Sequence, residues 1–362
     1  MLNWKKIIQA AFTLTLVGCT TPVLNNPNNI HTLISFQGNV QVKKAKWNSF
    51  HQVDSVTILS GEDKIQLGSN ASVKVYCSDL NQRTVEQPGT YLLSEVCPEG
   101  DSVRRLCPDC NNKTRRPLVS TEESLKELPY LISPRYTKVF NESLTIRWNK
   151  VSGANNYKVK VEDWEKKTRK NQIVYDGELE PGEFYSVIIV VDNDNKVAST
   201  DEDDGWYSNF IVLEGEEAKI LREKVAQIKQ QELSQEQEGL ILAYFYQENE
   251  LNFEAIQVLE KLVKSGSKTA TVYQLLGDIY RQIGLSLMAK KVYQQGLALT
   301  AKEDKSGVKV MMQWGLGEVQ YLLGNRDEAV EWLEKARANY LALGKQLDEK
   351  EEKLINQVLG RD

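Results

Sequence analysis

The sequence predicts a multidomain chain, with all-β modules first and an all-α repeat array after them. Three observations predict this. Between Ile30 and Leu213 short segments alternate apolar and polar residues, broken by Gly, Asn and Pro turns. From Glu216 onward Ala, Leu, Glu, Gln and Lys recur at helical spacing. Within that helical stretch one pattern returns, set by Leu242-Ala243, Leu276-Gly277 and Leu316-Gly317. At 362 residues, 41% hydrophobic and 26% charged, the chain can bury two or three cores and keep a soluble surface. A net charge of −5 gives no general attraction to nucleic acid or anionic lipid. Two histidines, His31 and His51, leave little room for histidine-based catalysis.

The chain opens as an export signal does. Lys5 and Lys6 form a positive start, and the apolar run from Ile7 to Val17 is too short to span a bilayer. It ends in Leu16-Val17-Gly18-Cys19, which resembles the bacterial lipobox. That resemblance implies cleavage before Cys19, acylation of its sulfur, and an exported, membrane-anchored lipoprotein facing the periplasm or cell surface. Residues 1–19 are then signal, and residues 20–29, rich in Asn, Thr and Pro, a tether.

Residues 30–117 form the first β region. Gly38-Asn-Val40-Gln-Val42 alternates like a half-buried strand, and Gly61-Glu-Asp-Lys-Ile65-Gln-Leu67-Gly68-Ser-Asn-Ala71-Ser-Val73-Lys-Val75 reads as two strands around a turn. Many short strands with such turns argue for a small barrel or roll. The same residues resemble a FecR-type β domain over about 70 positions. FecR regulators usually carry a membrane helix and a cytoplasmic anti-sigma segment, neither of which is expected from these residues, so a signalling role stands only as an alternative.

After a linker at 118–129, residues 130–213 form the second β region. Ser143–Trp148, Asn156–Val161, Gln172–Tyr175 and Ser208–Leu213 read as strands. Leu179-Glu-Pro181-Gly182-Glu-Phe-Tyr185 resembles the tyrosine corner of fibronectin type III and related sandwiches. The resemblance implies a β-sandwich with Trp148 in its core and the Tyr185 hydroxyl bonded to nearby backbone. Such a module serves as a spacer or as a binder.

Residues 214–362 form the helical part. Small residues at Ala243, Gly277 and Gly317 let one helix approach the next, and Ala255, Ala289 and Ala329 do the same on the facing helix. This pattern resembles the tetratricopeptide repeat (TPR), most closely over Gly324–Ala336. Gln320 and Gly296 depart from it, standing for an aromatic residue and an alanine, and Ala243 stands for a glycine. Glu216–Glu232 is expected to cap the array at its start and Leu343–Leu359 to close it. The architecture implies a concave face that binds a partner. Candidates to line it are Tyr244, Gln247, Gln274, Asp278, Arg281, Glu318 and Tyr321, while Tyr280 and Tyr293 fall on packing positions.

Cys77, Cys97, Cys107 and Cys110 are disulfide candidates in an oxidising compartment. Cys77 with Cys97 or with Cys110 is favoured, and a four-cysteine zinc site is the rival. Arg104-Arg105 with Lys113-Thr-Arg115-Arg116 makes a small basic cluster, and Asp192–Asn195 and Asp201–Asp204 read as polar hairpin loops. Phosphate-loop, zinc-protease and nucleophile-elbow motifs are missing, and no metal or cofactor is expected. The sequence therefore points to binding rather than catalysis. The expected partner is a protein or peptide in the cell envelope, with no nucleic acid or small-molecule substrate. Peptidoglycan or glycan binding by the β modules is a further alternative.

Overall fold

The computed structural model describes residues 30–45, 47–53, 56–98, 122, 124–191, 196–197, 208–300, 307–344, 347 and 349–360. The signal-like segment with Cys19, the basic cluster, Cys107, Cys110 and the loops at 192–195 and 201–204 lie outside them.

Among the described residues the first module holds eight strands: β1 (Ile30–Gln37), β2 (Val40–Lys43), β3 (His51–Gln52), β4 (Thr57–Ser60), β5 (Lys64–Leu67), β6 (Ser72–Tyr76), β7 (Gln82–Val85) and β8 (Gly89–Leu92). They form two antiparallel sheets, ordered β4-β1-β6-β7 and β3-β2-β5-β8. Leu33, Val40, Val73 and Val75 from both sheets meet in one core. Gly38 turns β1 into β2 at φ +72°, and a Cβ there would lie 3.0 Å from the Ala71 backbone, so only glycine fits. Buried Asp63 ties the turns together, accepting from Lys44 Nζ at 2.9 Å, Ala45 N at 2.9 Å and Ser60 N at 2.8 Å. A one-turn helix, α1 (Leu93–Val96), follows β8, so Leu93 ends the strand run rather than extending it. It delivers Cys97 to Cys77, and a disulfide joins the two with Cα atoms 5.4 Å apart.

A short helix, α2 (Ser124–Glu127), precedes the second module. This part of the expected linker is anchored, because Asn149 Nδ2 donates to the carbonyls of Leu125 and Leu128. The second module comprises β9 (Leu131–Ser133), β10 (Thr137–Val139), β11 (Leu144–Trp148), β12 (Tyr157–Val161), β13 (Trp164–Thr168), β14 (Gln172–Tyr175), β15 (Phe184–Val191), β16 (Lys196–Val197) and β17 (Asn209–Val212). One sheet runs β10-β17-β15-β12-β13 with β16 on β15, and the other runs β14-β11-β9. Their inward residues share a core around fully buried Trp148, whose ring meets Tyr157 edge-on at 5.3 Å. The Glu180 N–H donates to Tyr185 Oη at 2.7 Å, and the Tyr185 ring stacks on Phe210.

The helical part runs α3 (Gly215–Lys229), α4 (Gln235–Glu248), α5 (Asn252–Lys264), α6 (Ala270–Gln282), α7 (Ser286–Leu299), α8 (Gly307–Leu322), α9 (Arg326–Ala342) and α10 (Glu349–Leu359). Ser234 caps α4 in a capping box with Gln237. Leu343 terminates α9, and the closing helix starts only at Glu349. Among the described residues, no helix is long and apolar enough to cross a membrane.

The three modules share a core. Ile34 and Tyr76 of the first and Phe140 and Leu213 of the second join the cluster built on α3 to α8. The first module meets the array where α4 and α6 begin and α9 ends: Gln237 Nε2 donates to Ile34 O at 2.7 Å, Thr271 Oγ1 to Val56 O at 3.3 Å and Asn48 N to Gly344 O at 3.1 Å. The second meets the opposite turns, with Lys138 N donating to Glu250 O at 2.9 Å and buried Arg135 Nε to Ile283 O at 2.7 Å. It packs on the array instead of holding it at a distance.

Arg147 of β11 also reaches α5, donating to both Glu260 oxygens at 2.9 and 3.1 Å, while Tyr280 Oη donates to Glu260 Oε1 at 2.6 Å. A bidentate pair of this kind exceeds an ordinary surface pair. Glu260→Ala is expected to cost about 2 kcal/mol, because it leaves both donors without their acceptor. Urea unfolding checks this, and an Arg147→Ala cycle should show the two losses to be strongly non-additive.

Candidate interaction face

The helix pairs α4–α5, α6–α7 and α8–α9 are three successive repeat units. Small residues set how closely they approach. A Cβ on Gly317 would lie 2.5 Å from Leu333 Cγ. The Tyr293 ring of α7 is slotted between two first helices: a Cβ on Gly277 would lie 2.4 Å from it and one on Gly315 2.5 Å from it. The two departures from the repeat pattern have local reasons. At Gly296 a Cβ would lie 2.7 Å from Tyr273 Cβ, which cannot swing aside, and against Met312 Sδ as well, so alanine fits only if the helices shift. Gln320 is fully buried, but it bonds to Glu328 and accepts from Asn325 Nδ2 at 2.9 Å.

Tyr293 carries a polar network on its hydroxyl. It donates to Asp278 Oδ1, and Arg281 Nε donates back to it at 3.4 Å. Gln274 Nε2 also bonds to Asp278. Arg281 then crosses to the next repeat, its Nη1 lying 2.6 Å from Glu318 Oε2. Trp314 Nε1 donates to Glu318 Oε1 at 3.2 Å. Gln274, Asp278, Arg281 and Glu318 are thus brought together, joined by Tyr293 and Trp314. Gln247 pairs instead with Gln282 at 3.5 Å, and Tyr321 accepts from Gln357 of α10 at 3.3 Å. Tyr244 is half-buried, and burial, reinforced by Asp278, raises its hydroxyl pKa.

The side chains are partly open, 34% for Arg281 and 24% for Glu318, although Glu318 Oε2 itself is shielded. Burial pushes the Asp278 carboxyl up, against Arg281 and the bonds from Tyr293 and Gln274. Burial also raises Glu318, although Arg281 opposes it. At Arg281 burial disfavours the charge, but Glu318, Tyr293 and Asp278 outweigh it and raise its pKa. The short separation and the guanidinium's persistent charge decide for an ionised Arg281–Glu318 contact. Glu318 Oε2 has no well-aligned hydrogen bond, so the contact is ionic. The face offers a pre-set array of one cation, carboxylates and amides, which suits polar groups on an extended or helical peptide. Trp314 escaped the sequence reading, although its place four residues before Glu318 on one helix was the signal that could have found it. Tyr293 was not, because a packing position gives no sign that its hydroxyl organises the face.

No curated protein matches this chain. Among solved structures, MamA is 21% identical, with a TM-score of 0.29, over 39% of this chain and 88% of its own. BtubC (BKLC) from P. vanneervenii is 17% identical, with a TM-score of 0.32, over 40% of this chain and 66% of its own. Residues 270–303, spanning α6, α7 and the start of the following connection, match the tetratricopeptide repeat family, and this part of the chain is a tetratricopeptide repeat.

Proposed function

We propose that the chain is a non-catalytic scaffold that binds a protein partner through the first-helix face of its TPR array. The observation that carries this reading is the network from Gln274 to Glu318, partly exposed and spanning two consecutive repeats. We further read the β modules as FecR-like and fibronectin-like, and the chain as an exported lipoprotein held at the envelope through Cys19. The resemblances of Gly61–Val75, Leu179–Tyr185 and Leu16–Cys19 support these finer readings.

Cutting the chain after Leu213 would test this poorly, because the modules share a core. Point changes serve better. In a crosslinking pull-down from intact cells, Gln274→Arg combined with Tyr321→Ala should remove a discrete protein partner. A loss of about 30-fold in recovery is expected for a central contact of about 2 kcal/mol. The variant should keep the helical circular dichroism of the unaltered chain, while its unfolding curve falls somewhat because Tyr321 packs on the α8–α10 cluster and bonds to Gln357. An unchanged partner set, or capture of cell wall alone, would sink the scaffold reading and favour the β modules. A Cys19→Ser arm reads the anchor separately, and should move both chain and partner to the soluble fraction.

A further inference from the structure

We propose that the first module holds a latent copper(I) site, formed by Cys77, Cys97 and His31 once the disulfide is reduced. One ring nitrogen of His31 and the two sulfurs lie within 4.8 Å of one another. Two ligands each about 2.3 Å from one ion stand at most about 4.6 Å apart, so small side-chain shifts suffice. All three residues are shielded, at 0%, 0% and 1% exposure for His31, Cys77 and Cys97.

His31 is the observation that points to a ligand. Its Nδ1 accepts from the Ser78 N–H at 3.1 Å, so Nε2 carries the proton of the neutral ring. That Nε2 is buried and has no hydrogen-bond partner. A buried orphan donor is costly, and an apolar residue of similar shape would avoid the cost. Two thiolate sulfurs are soft donors, and an imidazole, a borderline donor, also suits copper. Among the described residues the group contains no fourth histidine, cysteine, aspartate or glutamate, and its burial leaves little room for water. Two thiolates and one imidazole in a dry pocket suit three-coordinate copper(I), while zinc requires a fourth ligand.

The chemistry balances. A dithiol reductant becomes a disulfide, and the Cys77–Cys97 bond takes its two electrons and two protons to give two thiols. Copper(I) then displaces both thiol protons to solvent. Whichever ring nitrogen binds, the Ser78 N–H loses its acceptor: binding through Nε2 moves the ring proton to Nδ1, and binding through Nδ1 uses the lone pair that Ser78 now meets.

The test uses the full chain with Cys19→Ser, Cys107→Ser and Cys110→Ser, so that no other cysteine competes. It is reduced with a dithiol, desalted without oxygen and titrated with copper(I) against a chromogenic chelator. One equivalent should bind to the reduced chain and none to the oxidised chain. X-ray absorption should show two sulfurs and one nitrogen, a readout that needs no variant at His31. His31→Gln should weaken binding by about tenfold or more, as loss of one ligand in three predicts. No uptake by the reduced chain, folded or not, overturns the proposal. So does a sulfur-only shell, or zinc(II) taken up in preference to copper(I).

Discussion

Tyr293→Ala is expected to destabilise the chain by about 4 kcal/mol, the range for losing a large buried aromatic side chain. The ring is fully buried and fills the slot between Gly277 and Gly315, so truncation leaves a cavity shared by two repeats. It also removes the hydroxyl that Asp278 and Arg281 use. Gly277→Ala and Gly315→Ala fail the opposite way. Each added Cβ would meet the ring near 2.5 Å, and overpacking of this kind costs about 1–3 kcal/mol. The two defects should be coupled. In the Tyr293→Ala background, Gly277→Ala should lose most of its cost, because the ring it strikes is gone. Urea unfolding of the two single variants and the double variant gives the coupling directly. Purely additive losses would mean that the glycine costs arise elsewhere, for instance from the helix backbone. Tyr293→Phe keeps the wedge and frees Asp278, and should cost only about 1 kcal/mol.

That slot shows why the helical half could be read from the sequence. Helix contacts require small residues, and Ala243, Gly277, Gly317, Ala255, Ala289 and Ala329 recur at the positions that require them. The departures at Gly296 and Gln320 look like noise until Met312 and Glu328 stand beside them, since each is answered by a residue of another helix. In the β half, alternation gave β2, β6, β11 and β12, because each has one face in a core. It missed β13, Trp-Glu-Lys-Lys-Thr, where no residue is fully buried and the strand is set by hairpin pairing with β12 and by half-buried Trp164 at its start, which meets Tyr175. The docking of the modules was invisible for another reason. Arg135 to Ile283 O and Gln237 to Ile34 O end on backbone carbonyls, which every residue type carries. The candidate face was legible as a set of polar first-helix positions. Its bonding order was not, because it runs through Tyr293.

Stability is expected to fall by about 2 kcal/mol as pH rises from 6.5 to 8, with Glu254 as the cause. Glu254 lies in the first turn of α5, where the second module packs, and its Oε2 is buried without a partner. Burial pushes its pKa from the ordinary 4.5 to about 8; backbone N–H groups oppose the shift and Glu142 adds to it. Glu142 is itself exposed and paired with Arg222, so it is the smaller influence. The sign follows from proton counting. Between 4.5 and 8 the folded chain keeps a proton that the unfolded chain has lost, so raising the pH favours unfolding. The contribution is complete below 4.5 and gone above 8. His31 works in the opposite sense lower down. Burial depresses its pKa from 6.5 to about 4, so its contribution is lost as pH falls through that interval. Above pH 6.5 only the Glu254 effect of the two remains, and at about 1.4 kcal/mol per pH unit it accumulates to the stated loss. Glu254→Gln keeps the shape and removes the titration. Urea unfolding at pH 6.5 and 8.5 should show the slope in the unaltered chain and a slope smaller by the Glu254 share in the variant, where the raised Asp278 and Glu318 carboxyls are unchanged. The variant should be the more stable of the two at the higher pH. An equal slope in both would place the titrating group elsewhere and leave Glu254 ionised in the fold, held by contacts other than its own burial.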